Sequence, residues 1–175
     1  ELRISKIKYL TIAGQTAPGK GITVADRNVI VEDCSHIILR YLRIRLGDEN
    51  KPEKFKPDVF TAEYSDHMIL DHLSFSWGID GNGDFRGLKY TTLQWMIFSE
   101  GLHKSLHAKG VGHAMCSSFR QPEGQATFHH NIYTTSRNRH PSTAGGAQVM
   151  EFANNINYNW SGCQNLSGEQ YNLIN

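Results

Sequence analysis

Short apolar runs recur along this chain between polar, glycine-containing stretches, and none carries the three-to-four-residue period of an amphipathic helix. They are Tyr9-Leu10-Thr11-Ile12, then 38–44, 69–75, 92–98, 127–133 and 151–157. Runs this short, bounded by turn formers, predict strands. With Leu10, Leu39, Leu70, Leu93, Phe128 and Phe152 superposed as anchors, the runs lie 29, 31, 23, 35 and 24 residues apart. The shortest spacing is one repeat, and the longer ones carry inserted loops. A repeat of this length with several strands and no helix predicts a solenoid. The regular leucine and asparagine spacing of leucine-rich repeats is missing, which favours a parallel β-helix. The predicted fold is therefore all-β, with about six coils of about three strands each, stacked at the strand spacing of about 4.8 Å. Asn131 and Asn155 both stand three residues after their anchors. Asparagine accepts bent backbone and can bond its stacked neighbour, so this pair fits a coil corner.

Composition narrows the class. The chain of 175 residues suffices for one domain, 1–175, with a sizeable core. No apolar run is long enough to cross a bilayer, and a net charge of +1 gives no reason to expect a nucleic-acid or membrane partner. Residue 1 is Glu, so the expectation is a chain trimmed or excised from a longer product. Cys34, Cys116 and Cys163 are odd in number and lack metal-ligand spacing. Charge is unevenly spread: residues 61–100 hold six acidic and two basic side chains, and 101–175 hold five basic and three acidic. That division suits a cation site beside an anion site.

The acidic half contains the stretch 71–84, which begins as an alternating strand and ends Asp80-Gly81-Asn82-Gly83-Asp84. Oxygen ligands at alternate positions, with glycines between to turn the backbone, match the opening of a calcium loop. Phe85 and Thr91 break the remainder of an EF-hand, so the stretch reads either as a calcium corner or as a solvated polar turn. His103 and His107 have the four-residue spacing of zinc ligands without a zincin sequence around them. His129 and His130, adjacent on a strand, are expected to face opposite sides. The 14–21 stretch lacks Walker spacing and contains Pro18, so it reads as a structural turn. Arg40, Arg43 and Arg45 read as coil-stacking and surface charge. In the basic half, Lys109, Arg137 and Arg139 can lie on the same side of the stack as the acidic corner. A cation beside lysine and arginine suits a polyanionic substrate.

Several segments together resemble the pectate lyases of polysaccharide lyase family one, which are right-handed parallel β-helices. The matching segments are 10–19, which includes Gly-Gln-Thr-Ala-Pro-Gly, then 40–45, 71–77, 127–131 and Arg139-His140-Pro141. They stand in the family's order over roughly residues 8–160. The resemblance is strongest to the subgroup with that Gly-Gln-Thr-Ala-Pro-Gly turn. It implies a primary calcium site at Asp58, Asp80 and Asp84, and a catalytic base at Arg139, with Arg137 the alternative if the register slips by two. It also implies that Lys109 binds substrate. The family's second arginine falls on Ala144. The implied reaction is calcium-assisted β-elimination on polygalacturonate or pectin, giving 4,5-unsaturated oligogalacturonides. The implied setting is a monomer, secreted or periplasmic. A guanidinium base acts in its neutral form, so alkaline operation is expected. Two alternatives remain at this level: a carbohydrate-binding β-helix without turnover, suggested by Ala144, and a glycoside hydrolase using a carboxylate pair.

Overall fold

The computed structural model describes residues 1–49, 51, 56–107, 112–121, 123–145, 149–166 and 170–174. Among them the chain winds as a parallel β-helix of six coils that each contribute one strand to each of three sheets, followed by one further strand on the second sheet. The first sheet stacks Leu2–Ser5, Val29–Glu32, Phe60–Glu63, Gly81–Arg86, Met115–Arg120 and Ser142–Ala144. The second stacks Lys8–Ala13, Ser35–Arg40, Asp66–Asp71, Lys89–Gln94, Ala126–His129, Val149–Ala153 and Gln170–Ile174. The third stacks Ile22–Ala25, Leu42–Arg45, Ser74–Ser76, Ile97–Ser99, Ile132–Thr134 and Ile156–Tyr158. Among the described residues the one helical element is a 3-10 turn, Gly14–Thr16. Its first residue explains the structural reading of that stretch, because a Cβ on Gly14 would lie 2.3 Å from the Tyr41 carbonyl oxygen.

The anchors of the sequence pattern form one buried row. Leu39, Leu70, Leu93, Phe128 and Phe152 are paired in register and at most 2% exposed. Burial of each such side chain stabilises the fold by about 1.5–3 kcal/mol. The first coil differs from the predicted register: Ile12, not Leu10, pairs with Leu39. Inside the coils, Phe60, Phe75, Phe85, Phe98, Phe119 and Tyr133 fill the space between sheets with stacked and edge-on rings.

Each long apolar run proves to be two strands with a sharp bend between them. At the bend stand Tyr41, His72, Trp95, His130 and Asn154, all left-handed with φ of 53° to 57°. That backbone costs a non-glycine residue about 1–2 kcal/mol. Three of the four neighbouring contacts offset it by ring stacking, with centroids 4.5 Å apart for Tyr41–His72, 6.1 Å for His72–Trp95 and 4.3 Å for Trp95–His130. The bend also corrects the reading of the adjacent histidines: His130 turns back, and its Nδ1 lies 2.8 Å from that of His129. The predicted asparagine stacking is present. Asn155 Oδ1 accepts from the Asn131 amide at 2.9 Å, and Asn131 Oδ1 accepts from the Met96 amide at 2.9 Å.

The arginines of 40–45 do hold coils together. Arg40 Nε lies 2.6 Å from Asp71, Arg43 bonds Thr23 and the Lys20 carbonyl, and Arg45 bonds Ser74. No helix among the described residues is long and apolar enough to cross a membrane.

Candidate active site

The site lies where each coil leaves the third sheet and enters the first. Asp58, Asp80 and Arg139 stand in these crossings, just before the strands Phe60–Glu63, Gly81–Arg86 and Ser142–Ala144. Parallel stacking lays successive crossings over one another, so residues remote in sequence meet at one edge. Backbone bonds fix the alignment: the Val59 amide donates to the Gly81 carbonyl, Met115 to Asp80, and Ser117 to Arg139, each at 2.9 Å. Asp84 lies within its strand. Phe85 points inward and is 1% exposed, so its neighbour Asp84 points outward, in register with Thr61 and Ser118.

Gly81 makes the acidic edge possible. A Cβ there would lie 2.6 Å from Asp58 Oδ1, so the carboxyl occupies the space a side chain would have taken. Burial pushes the Asp58 carboxyl well above its ordinary range, and the charges of Asp84 and Asp80 push it further. Arg120 and Arg139 oppose this with the smaller effect. Asp84 is held by the Arg120 guanidinium through Nη2 and through Nε, the latter at 3.2 Å. Asp80 bonds His113 Nε2 at 2.5 Å and faces His107 Nε2 at 3.5 Å. Asp58, Asp80 and Asp84 share this edge closely enough for the charges of Asp84 and Asp80 to resist ionisation of Asp58, and carboxylate oxygens are the ligands a hard divalent cation takes.

The stretch 80–84 differs from the sequence reading in one respect. Gly81–Arg86 is a strand paired on both sides rather than a polar turn, and the Asn82 side chain is taken up by backbone groups. Its Oδ1 accepts from the Gly78 amide at 3.0 Å and its Nδ2 donates to the Ser99 carbonyl at 2.9 Å. Asn82 therefore holds the crossing in shape.

Arg139 reaches back over the outer face of the first sheet and bonds Ser118 Oγ at 3.2 Å, next in register to Asp84. Arg137 turns elsewhere, bonding the Gly112 carbonyl and lining a hollow of about 380 Å³ with His103, Ala114 and Trp160. Lys109 lies outside the described residues. Ala144 pairs in register with Arg120, so the guanidinium nearest that position comes from the preceding coil.

Three residues of this edge escaped sequence reasoning in whole or in part: Arg120, His107 and His113. Arg120 ends the strand Met115–Arg120, whose buried residues do not alternate with polar ones in a strand-like way. The zinc-like spacing of His103 and His107 is not realised. His103 is exposed, while His107 stacks on His113 with centroids 3.8 Å apart and planes 5° from parallel.

No family model matches the chain. A protein of Aspergillus flavus named probable pectate lyase C is 35% identical over 161 residues, covering 91% of this chain and 35% of the relative. A protein of the same name from Aspergillus terreus is 35% identical over 179 residues, covering 98% of this chain and 39% of the relative. The chain thus spans little more than a third of the length of these relatives. A solved structure of a pectate lyase from Paenibacillus sp. 0602 superposes with a TM-score of 0.57 over 86% of this chain and 44% of that one, at 18% identity. The resemblance read from the sequence holds in the alignments, and the parallel β-helix holds in the fold.

Proposed function

From the homology of this chain to the pectate lyases, we infer that it carries the catalytic edge of a polysaccharide lyase that cleaves polygalacturonate by β-elimination. The observation that carries this reading is the presence of Asp58, Asp80 and Asp84 along one sheet edge, where the charges of Asp84 and Asp80 reach Asp58, with Arg139 bonded to Ser118, the register partner of Asp84. Those three aspartates would hold calcium, whose bound charge neutralises a uronate carboxylate and acidifies its C5 proton.

Arg139 takes the C5 proton. The electron pair of that bond becomes the C4–C5 double bond as the glycosidic oxygen leaves C4 with its bonding pair and takes a proton from water, and the products are a 4,5-unsaturated oligogalacturonide and a chain with a new hydroxyl. Ser118 holds the Arg139 guanidine over the face where the aspartates end. Arg120 holds Asp84 in place through its guanidinium. Lys109 and Arg137 bind substrate carboxylates, Lys109 by the family resemblance and Arg137 as a cation beside the same crossing. A polymeric substrate fits action outside the cytoplasm, as a secreted or periplasmic protein.

The test is turnover on polygalacturonate with calcium or chelator, read by the ultraviolet absorbance of the unsaturated product. Arg139→Lys should lose about 10²–10⁴-fold in turnover, the usual contribution of a general base, while retaining oligogalacturonate binding. Arg137→Ala should weaken binding and leave most of the turnover. Loss of activity in Arg137→Ala with a wild-type Arg139→Lys would move the base to Arg137. New reducing ends without unsaturation would replace elimination by hydrolysis.

A further inference from the structure

We propose that Asp80, His107 and His113 form a second metal site, one for zinc or a similar borderline divalent ion. The proposal stands on these three side chains and does not depend on the lyase reading. The two imidazoles are buried, 5% and 7% exposed, and lie face to face with centroids 3.8 Å apart and planes 5° from parallel. Both aim Nε2 at one carboxylate, His113 at Oδ1 from 2.5 Å and His107 at Oδ2 from 3.5 Å. One donor atom from each residue lies within 4.8 Å of the other two.

Zinc binds imidazole nitrogen and carboxylate oxygen at about 2.0–2.2 Å, so tetrahedral donors around it stand about 3.4 Å apart. The His107–Asp80 separation already has that value, and the His113–Asp80 pair must open by about 1 Å, within reach of a carboxylate rotation; because an ion lies in the plane of each imidazole that binds it, one of the two parallel rings must also tilt out of the stack. Two histidines and one carboxylate leave the fourth position open. The donor set separates this site from the Asp58–Asp80–Asp84 edge, since nitrogen ligands favour zinc over calcium. Asp80 belongs to both, so zinc and calcium compete for it.

A second histidine pair sets the comparison. His36 and His67 are also stacked, 4.6 Å apart, beside Asp66. They are exposed, and their Nδ1 atoms are hydrogen-bonded to Ser35 and Asp66. They continue a ladder with Tyr9 and Tyr90 along the second sheet, and that stacking accounts for them.

The experiment is calorimetric titration of the metal-free protein with zinc chloride in the absence of polymer, repeated with cobalt(II) as a coloured probe. Wild type should bind one ion and give the visible bands of four-coordinate cobalt. His107→Ala and His113→Ala should each weaken zinc binding by at least the roughly 10–100-fold that loss of a supporting contact costs at metal sites. His103→Ala should bind as wild type does. Should an alanine variant lose its β-sheet circular dichroism, His113→Gln replaces it and must show the same weakening. Wild type that binds no zinc overturns the proposal. So does zinc binding that His36→Ala or His67→Ala removes while His107→Ala and His113→Ala leave it intact.

Discussion

Gly81→Ala separates the working edge from the stack that carries it. The added Cβ would sit 2.6 Å from Asp58 Oδ1, and its next neighbours, Asp58 Cγ and Met115 Cβ, are at 3.7 Å. Ordinary contact begins near 3.4 Å, so the oxygen must retreat by about 0.8 Å (3.4 − 2.6) while everything else fits. A carboxyl rotates at little cost, and Gly81 is not among the positive-φ glycines. Alanine in a strand also gains about 0.5–1 kcal/mol over glycine from the unfolded chain. For a domain of this size 1 kcal/mol moves the melting temperature by about 2–4 °C, so melting should change by no more than that. Turnover should not be spared. A misplacement of about 1 Å at a reacting centre costs on the order of 10²-fold, and Asp58 is one of three proposed cation ligands. Product absorbance on polygalacturonate, calcium titration and a thermal melt measure the three quantities. Wild-type turnover and calcium affinity would remove Asp58 from the site. A large fall in melting temperature would show that the backbone, not the carboxyl, absorbs the clash, and the reasoning would fail there.

Other outcomes follow from the same geometry. Asp58→Asn in chelator should melt higher than wild type at neutral pH. The raised carboxyl carries no penalty below the ordinary carboxylate range, and its penalty grows as pH climbs through that range and is complete above the raised value. The same variant should lose any stabilisation by calcium, read in paired melts with and without the ion. Asp71 behaves oppositely. Burial raises its carboxyl, but Gln94, His72 and Arg40 together hold it below the ordinary range. Its contribution is therefore present above the ordinary carboxylate value and lost as pH falls through the lowered one. Asp71→Asn should cost about 1.5–3 kcal/mol in urea melts at neutral pH and almost nothing in strong acid. Asn131→Leu should destabilise by about 2–5 kcal/mol by the same measurement, because it strips the Met96 amide and Leu93 carbonyl of their partner at a fully buried position.

The second sheet was legible in the sequence because its inward row is large and apolar in every coil. The first coil slipped by two residues because Leu10 and Ile12 both satisfy the pattern, and only pairing with Leu39 decides between them. The bends were hidden by their residue types. A left-handed corner announces itself when glycine or asparagine occupies it, but here tyrosine, histidine and tryptophan do, supported by the ring in the next coil. Gly81–Arg86 has the composition of a turn, and hydrogen bonding to a strand on each side makes it a strand. At the candidate site, Asp80 and Asp84 could be picked out from their spacing. Asp58 and Arg139 needed the family resemblance, because what brings them there is a register between coils that no local pattern encodes. Arg120 and His113 had no local signal, since each acquires its meaning from an aspartate more than thirty residues earlier.

Among the described residues, the side chains proposed for the lyase reaction emerge at or beside a single corner of the coil, between the third sheet and the first. In consecutive coils that corner is crossed by segments as different as 77–80 and 100–114, yet the strands on either side keep their register. The architecture therefore tolerates rewriting at this corner without renegotiating the ladder. Exchanging one crossing for another would alter which sugars are gripped, or which ion is held, while the apolar rows and ring stacks continue undisturbed. In such a protein specificity and stability are written on different residues and can drift independently.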